Sequence, residues 1–124
     1  MAQDAFGRPI IDEPEAVDVA PEVRDIADVP AVEVINTVAV HLLSASAVQL
    51  GLAEDDPRVD LDEARKLIDA LAGLVTAAAP HLGDHHARAL RDGLRSVQLA
   101  FREASVVQDE IGKGPGEKWT GPVT

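Results

Sequence analysis

Three histidines crowd one short stretch of this 124-residue chain. His81, His85 and His86 stand close together, with Asp84 among them. Imidazole and carboxylate groups can ligate zinc or a related transition metal. The spacing argues for something plainer. Pro80 and Gly83 interrupt the helical register that would set His81 beside His85, and no H-E-x-x-H pattern is present. An ordinary polar helix junction is expected here, with a small metal- or ligand-dependent enzyme built on His81–His86 as the alternative. Glu54, Asp55 and Asp56 form an acidic cluster. Neighbouring carboxylates divide acid and base roles only where a pocket separates their pKa values. These three sit beside Pro57 in a short charged stretch and are expected to be solvated. There is no Gly-rich phosphate loop, nucleophile elbow or dinucleotide fingerprint. No catalytic, cofactor-binding or metal-ligating residue is therefore assigned, and the chain reads as non-enzymatic.

Arg88, Arg91, Arg95 and Arg102 recur at helical spacing and form the most distinctive charged feature. A solvated face is the plain reading, with Asp84 and Asp92 balancing Arg88. Docking of an acidic protein segment is the functional reading, and a nucleic-acid-associated factor is the third. Net charge and the lack of aromatic residues within the stripe weigh against nucleic acid. Trp119, the single tryptophan, lies in GEKWTG, where no apolar periodicity explains it. It is either exposed on a flexible end or an anchor for a partner.

Helices must position these residues. Val34 to Leu52 reads VINTVAVHLLSASAVQLGL and carries no charge. Its length and alanine content favour a helix. Thr37, His41 and Ser44 gather on a polar strip, where His41 is expected to be a hydrogen-bonded interfacial residue. The apolar arc is wide and needs more than one neighbour. Val34, Val38, Leu42, Leu43, Ala47 and Leu50 are the expected interface. Asn36, His41 and Gln49 inside the run, and the absence of aromatic or basic anchors, argue against membrane spanning. Gly51 is a plausible stop. Asp60 opens a second helix, with Glu63 placed for a capping box. Leu61, Ala64, Leu67, Ile68, Leu71, Leu74, Val75 and Ala78 follow on one broad apolar face. Asp62–Lys66 and Arg65–Asp69 are spaced for surface pairing, and Pro80 is expected to end the helix. Asp84 is the expected cap of a third helix, whose apolar face carries Ala87, Leu90, Leu94, Val97 and Phe101. That helix should fade after about Ser105, with Val106, Val107 and Ile111 packing beyond it.

The chain carries 22 Asp plus Glu against 11 Lys plus Arg, a net charge of −11. That favours solubility and a basic partner over phosphate backbones or anionic lipid. No cysteine is present. Residues 1–32 hold eight acids, two arginines and four recurring prolines, and read as a disordered acidic arm. An acidic opening without an apolar signal core points to the cytoplasm.

Two segments carry a family resemblance. LLSASAVQLGL at 42–52 and DLDEARKLIDALAGL at 60–74 resemble the domain of unknown function 1844 family, in its actinobacterial form. The family's Leu–Gly helix end is kept as Leu50 and Gly51. Its following pattern is kept as Leu61, Ala64, Arg65, Ile68 and Asp69, and its third helix through Leu90, Leu94, Val97 and Phe101. Gln98 stands where the family has Arg, Phe101 where it has Tyr, and AAAPHL at 77–82 replaces its KT-x-GNL connection. The resemblance implies a small helical protein and supplies no activity or site residue.

The expected architecture is all-α. Three antiparallel helices, 33–51, 60–79 and 84–105, form an interaction domain over 33–110, flanked by the arm and a flexible Gly/Pro-rich tail, 111–124. A core of this size buries limited surface. The chain is expected to be a non-catalytic homodimer or a subunit of a larger complex, joined through the first helix, with the arm or tail contacting a partner.

Overall fold

The structure, a computed structural model, describes residues 2–3, 9–10 and 28–124. Two units divide the chain, Met1–Val34 and Ile35–Thr124. In the first, β1 (Ala2–Gln3) pairs antiparallel with β2 (Pro9–Ile10), placing Ala2 opposite Ile10 and Gln3 opposite Pro9. No strand was expected there; two residues a side is a minimal ladder. Of the expected disordered arm, 1–32, residues 28–32 are also described, with Ala31 and Val32 opening a helix, and the rest lies outside the described residues.

The remainder is helical: α1 (Ala31–Gln49), α2 (Leu61–Leu82), α3 (Asp84–Ala104) and the short α4 (Glu117–Thr120). An all-α fold with three main helices is as the periodicity implied.

Gly51 ends the α1 segment as expected. Its φ of 79° is left-handed, and the turn closes through Leu52 N–H donating to the Ala47 carbonyl and Gly51 N–H donating to the Val48 carbonyl. This pair of bonds is the Schellman arrangement, which satisfies carbonyls the helix end leaves open. In the following loop, the Arg58 guanidinium donates two bonds to the Asp56 carboxylate, each 2.8 Å.

Asp60 caps α2, its Oδ1 accepting from Glu63 N–H at 3.1 Å. The reciprocal half of the box is not made, because the Glu63 carboxylate takes Lys66 Nζ at 2.7 Å. The expected Asp62–Lys66 and Arg65–Asp69 pairs are likewise replaced. Arg65 reaches Asp109 instead, and its guanidinium lies 4.9 Å from the centre of the Phe101 ring.

Pro80 does not end α2, which continues to Leu82. Proline costs a helix one amide bond near its own position. Here Ala79 and Leu82 on either side are buried, which favours one more turn. Gly83, with φ 81°, makes the break. Asp84 is the first residue of α3 and not its cap; Gly83 occupies that position with no side-chain bond. A carboxylate in the first turn still complements the helix dipole.

A single residue thus joins α2 to α3, and the two run antiparallel, as Arg65 against Phe101 shows. Ile68, Leu71 and Val75 of α2 and Leu90, Leu94 and Val97 of α3 form the core between them, all at most 5% exposed. On another side of α3, Leu43 of α1 packs against Gly93. A Cβ at Gly93 would fall 2.6 Å from Leu43 Cδ2, so glycine there permits close approach. Val106, Val107 and Ile111, expected to pack beyond α3, are 99%, 86% and 74% exposed.

Two outcomes follow. Gly93→Val should destabilise the fold by about 1–3 kcal/mol through overpacking, and Leu43→Ala should recover part of that loss in a double-mutant cycle read by thermal melts. The Arg58 hydrogen bonds hold the Asp56 carboxyl down at about 2. The folded-state value is depressed, so the ion pair is complete above the ordinary carboxylate range and is lost as pH falls through about 2. Carboxyl NMR should place the Asp56 midpoint there, and Arg58→Gln should return it towards 3.8.

Candidate functional site

The six expected interface residues do not share one environment. Leu50 is buried at 5% exposure, Leu42, Leu43, Ala47 and Val34 are half-buried, and Val38 is 46% exposed. The inner face of α1 is set by Ala39 and Ser46, both fully buried. Ser46 is a polar residue, so its inward position is not evident from the sequence. Its hydroxyl donates to the Leu42 carbonyl at 2.8 Å, and its small size permits close packing. Thr37, His41 and Ser44 are exposed; His41, expected to be hydrogen-bonded, makes no side-chain hydrogen bond among the described residues, and Val40 and Val48 are 45% and 42% exposed.

The largest departure concerns residues 111–124. The expected flexible tail is packed on α2 and α3. Gly116 N–H donates to Asp69 Oδ1 at 2.6 Å. Gln98 Nε2 donates to the Pro115 carbonyl and to Thr120 Oγ1, both at 3.1 Å. Glu117 is 8% exposed, and its carboxylate accepts from the Gly114 and Val123 amides. Val123 is 4% exposed. Each bond satisfies a group whose burial would otherwise be costly.

Glycines make this docking possible. Gly116 has φ 76°, and a Cβ there would stand 2.9 Å from both Ala72 Cβ and Gln98 Nε2. At Gly73, a Cβ would meet the Trp119 ring at 3.3 Å, so the indole rests on bare α2 backbone. Trp119 therefore anchors its own chain while remaining 46% exposed. The Lys118 ammonium lies 5.1 Å from the ring centre.

The arginine stripe divides. Arg95 Nη2 donates to the main-chain oxygen of Thr124 at 3.0 Å, and Arg102 Nη1 approaches that of Val123 at a long 3.4 Å. Arg88 and Arg91 are exposed and make no ion pair among the described residues. Arg91, Arg95 and Trp119 line one open groove, to which Arg88 and Arg102 do not contribute. Gln98 and Asp69, which hold the tail, were not singled out as site residues. Asp69 reads as a surface acid, and no local signal ties it to an amide 47 positions later.

Of the histidine cluster, His81 and His85 are exposed and His86 is half-buried. The His85 and His86 rings meet edge-on, with centroids 5.7 Å apart. Among the described residues, no three His, Asp or Glu side chains are grouped to hold a metal ion.

The sole tryptophan makes tail docking measurable. Gly116→Val should release residues 114–124 and shift Trp119 fluorescence to the red, with far-UV circular dichroism still strongly helical. Asp69→Ala removes a charge-assisted bond and should weaken docking by about 1.5–3 kcal/mol. Unchanged emission in both variants would contradict the role assigned to these residues.

Comparison with curated proteins and with solved structures gave no match. Residues 31–103, which span α1, α2 and nearly all of α3, match the family described as a domain of unknown function (DUF1844), and the chain belongs to that family.

Proposed function

We propose that this protein is a non-catalytic helical interaction module that self-associates through α1. The observation that carries the proposal is the exposure of a largely apolar helix whose one charged residue, Glu33, lies in its first turn. Only Ala39 and Ser46 of its 19 residues are buried, while Val38, Val40 and Val48 are each more than 40% exposed. Exposed apolar surface of this kind favours a partner.

A second copy of the same helix is the proposed occupant. Within α1, Val34, Val38, His41, Ala45 and Val48 recur in alternating steps of four and three. That is the seam spacing of paired helices, in which one central polar residue such as His41 helps set the register. Two-fold pairing closes on itself and leaves no further surface unfilled. The tail is bound to its own α2 and α3, so it is not used as a tether in this reading. A cytoplasmic location belongs to the same proposal, since the net charge of −11 favours solubility.

The same helix supports a second reading, because it is long and apolar enough to cross a membrane by length and composition. Asn36, His41 and Gln49 within it weigh against that reading.

Sedimentation velocity tests the proposal. The wild-type chain should be dimeric at micromolar concentration. Val38→Glu combined with Val48→Glu should raise the dissociation constant by about a hundredfold or more, because like charges then face each other across the seam. Both side chains are already exposed, so helicity should persist. A folded wild-type monomer at that concentration overturns the proposal, and co-flotation of the monomer with lipid vesicles would favour the membrane reading.

A further inference from the structure

An open groove with a volume of about 410 Å³ runs between α2, α3 and the docked tail. Its size lies within the usual range for small-molecule sites. Val75, Leu94 and Val123 lie beneath it, each at most 4% exposed, and Trp119 and Pro122 are its accessible apolar lining. Arg91 and Arg95 reach it from α3, and Trp119 from the tail. One part of the indole rests on Gly73, yet nearly half of the residue is open to solvent.

Charge narrows what fits. Arg91 has no hydrogen-bond or ion-pair partner among the described residues, whereas Arg95 gives one N–H to the Thr124 main-chain oxygen. Lys118 adds a further positive charge near the Trp119 ring. Guanidinium groups beside an aromatic ring and an apolar lining match a molecule with one anionic end and one apolar body. A polyanion does not fit as well, because the chain as a whole carries −11.

We propose that this groove binds a small organic carboxylate with a short aliphatic or aryl body. The carboxylate pairs with Arg91, and the body lies against the exposed Trp119 indole and Pro122. The groove stands on the tail flank of α3, away from the Gly93 contact with α1. Its occupancy is therefore separable from self-association.

The test uses the full chain and its one tryptophan. Trp119 fluorescence should change saturably on titration with 4-phenylbutyrate. The uncharged 4-phenylbutanol and the body-less acetate should each bind at least about tenfold more weakly, since each lacks half of the recognised chemistry. Arg91→Gln should weaken 4-phenylbutyrate about tenfold, Arg91→Lys should recover part of the loss, and Arg88→Gln should leave binding unchanged. Arg91 is exposed and has no partner among the described residues, so these variants should keep wild-type circular dichroism. A linear, non-saturating response, equal binding of the alcohol, or unaltered binding by Arg91→Gln overturns the proposal.

Discussion

Ile68, Leu71 and Val75 of α2 pack with Leu90, Leu94 and Val97 of α3, leaving at most 5% of any of these residues in water. Removing water from this seam supplies about 1.5–3 kcal/mol for each large aliphatic side chain, set against the entropy of ordering the chain. Gly83 makes the seam a local one. With a single residue between the helices, closing the pair costs little loop entropy. The other elements are added to α2 and α3 and hold their positions only while this pair holds its own.

Those additions use different flanks. Gly93 receives Leu43 of α1, while Gln98 holds the tail. Five residues separate these positions, a turn of about 140° around the helix. The two contacts also differ in kind. The α1 contact is apolar and relies on the absence of a side chain at Gly93. The tail is held mostly by backbone amides and carbonyls meeting Asp69, Gln98, Glu117 and Arg95. Directional bonds of this sort fix one register for a segment rich in glycine and proline, which apolar contact alone would not order.

The tail lies wholly beyond residues 31–103, the part of the chain matched by the family. It extends the family domain by covering the Gln98 side of the α2–α3 pair, and it carries Trp119 to one wall of the groove. Arg95 takes part in both arrangements, bonding to Thr124 and lining that groove. On the other flank α1 retains Val38, Val40 and Val48 in solvent. One side of the domain is therefore closed by its own chain, and the other is left with apolar surface.

The helices were legible in the sequence because their signals are local. Ala64, Ile68, Leu71 and Val75 recur at helical spacing, as do Leu90, Leu94, Val97 and Phe101, and all are buried. Asp60 and Gly51 mark ends through bonds made within a few residues. Pro80 misled, because a proline near a helix end costs less than the burial of Ala79 and Leu82 favours. The division of the arginine stripe, the inward turn of Ser46 and the docking of residues 114–124 were not legible. Periodicity ranks the faces of one helix but does not say which segment will cover each face. Asp69 meets the Gly116 amide across 47 positions, and Trp119 rests on a glycine chosen for the side chain it lacks. Such contacts depend on backbone groups that every residue carries and on missing atoms, neither of which leaves a pattern in the order of side chains. The sequence by itself determined the three helices and their apolar faces; only the tertiary structure decided which faces are covered, because that depends on how distant segments meet.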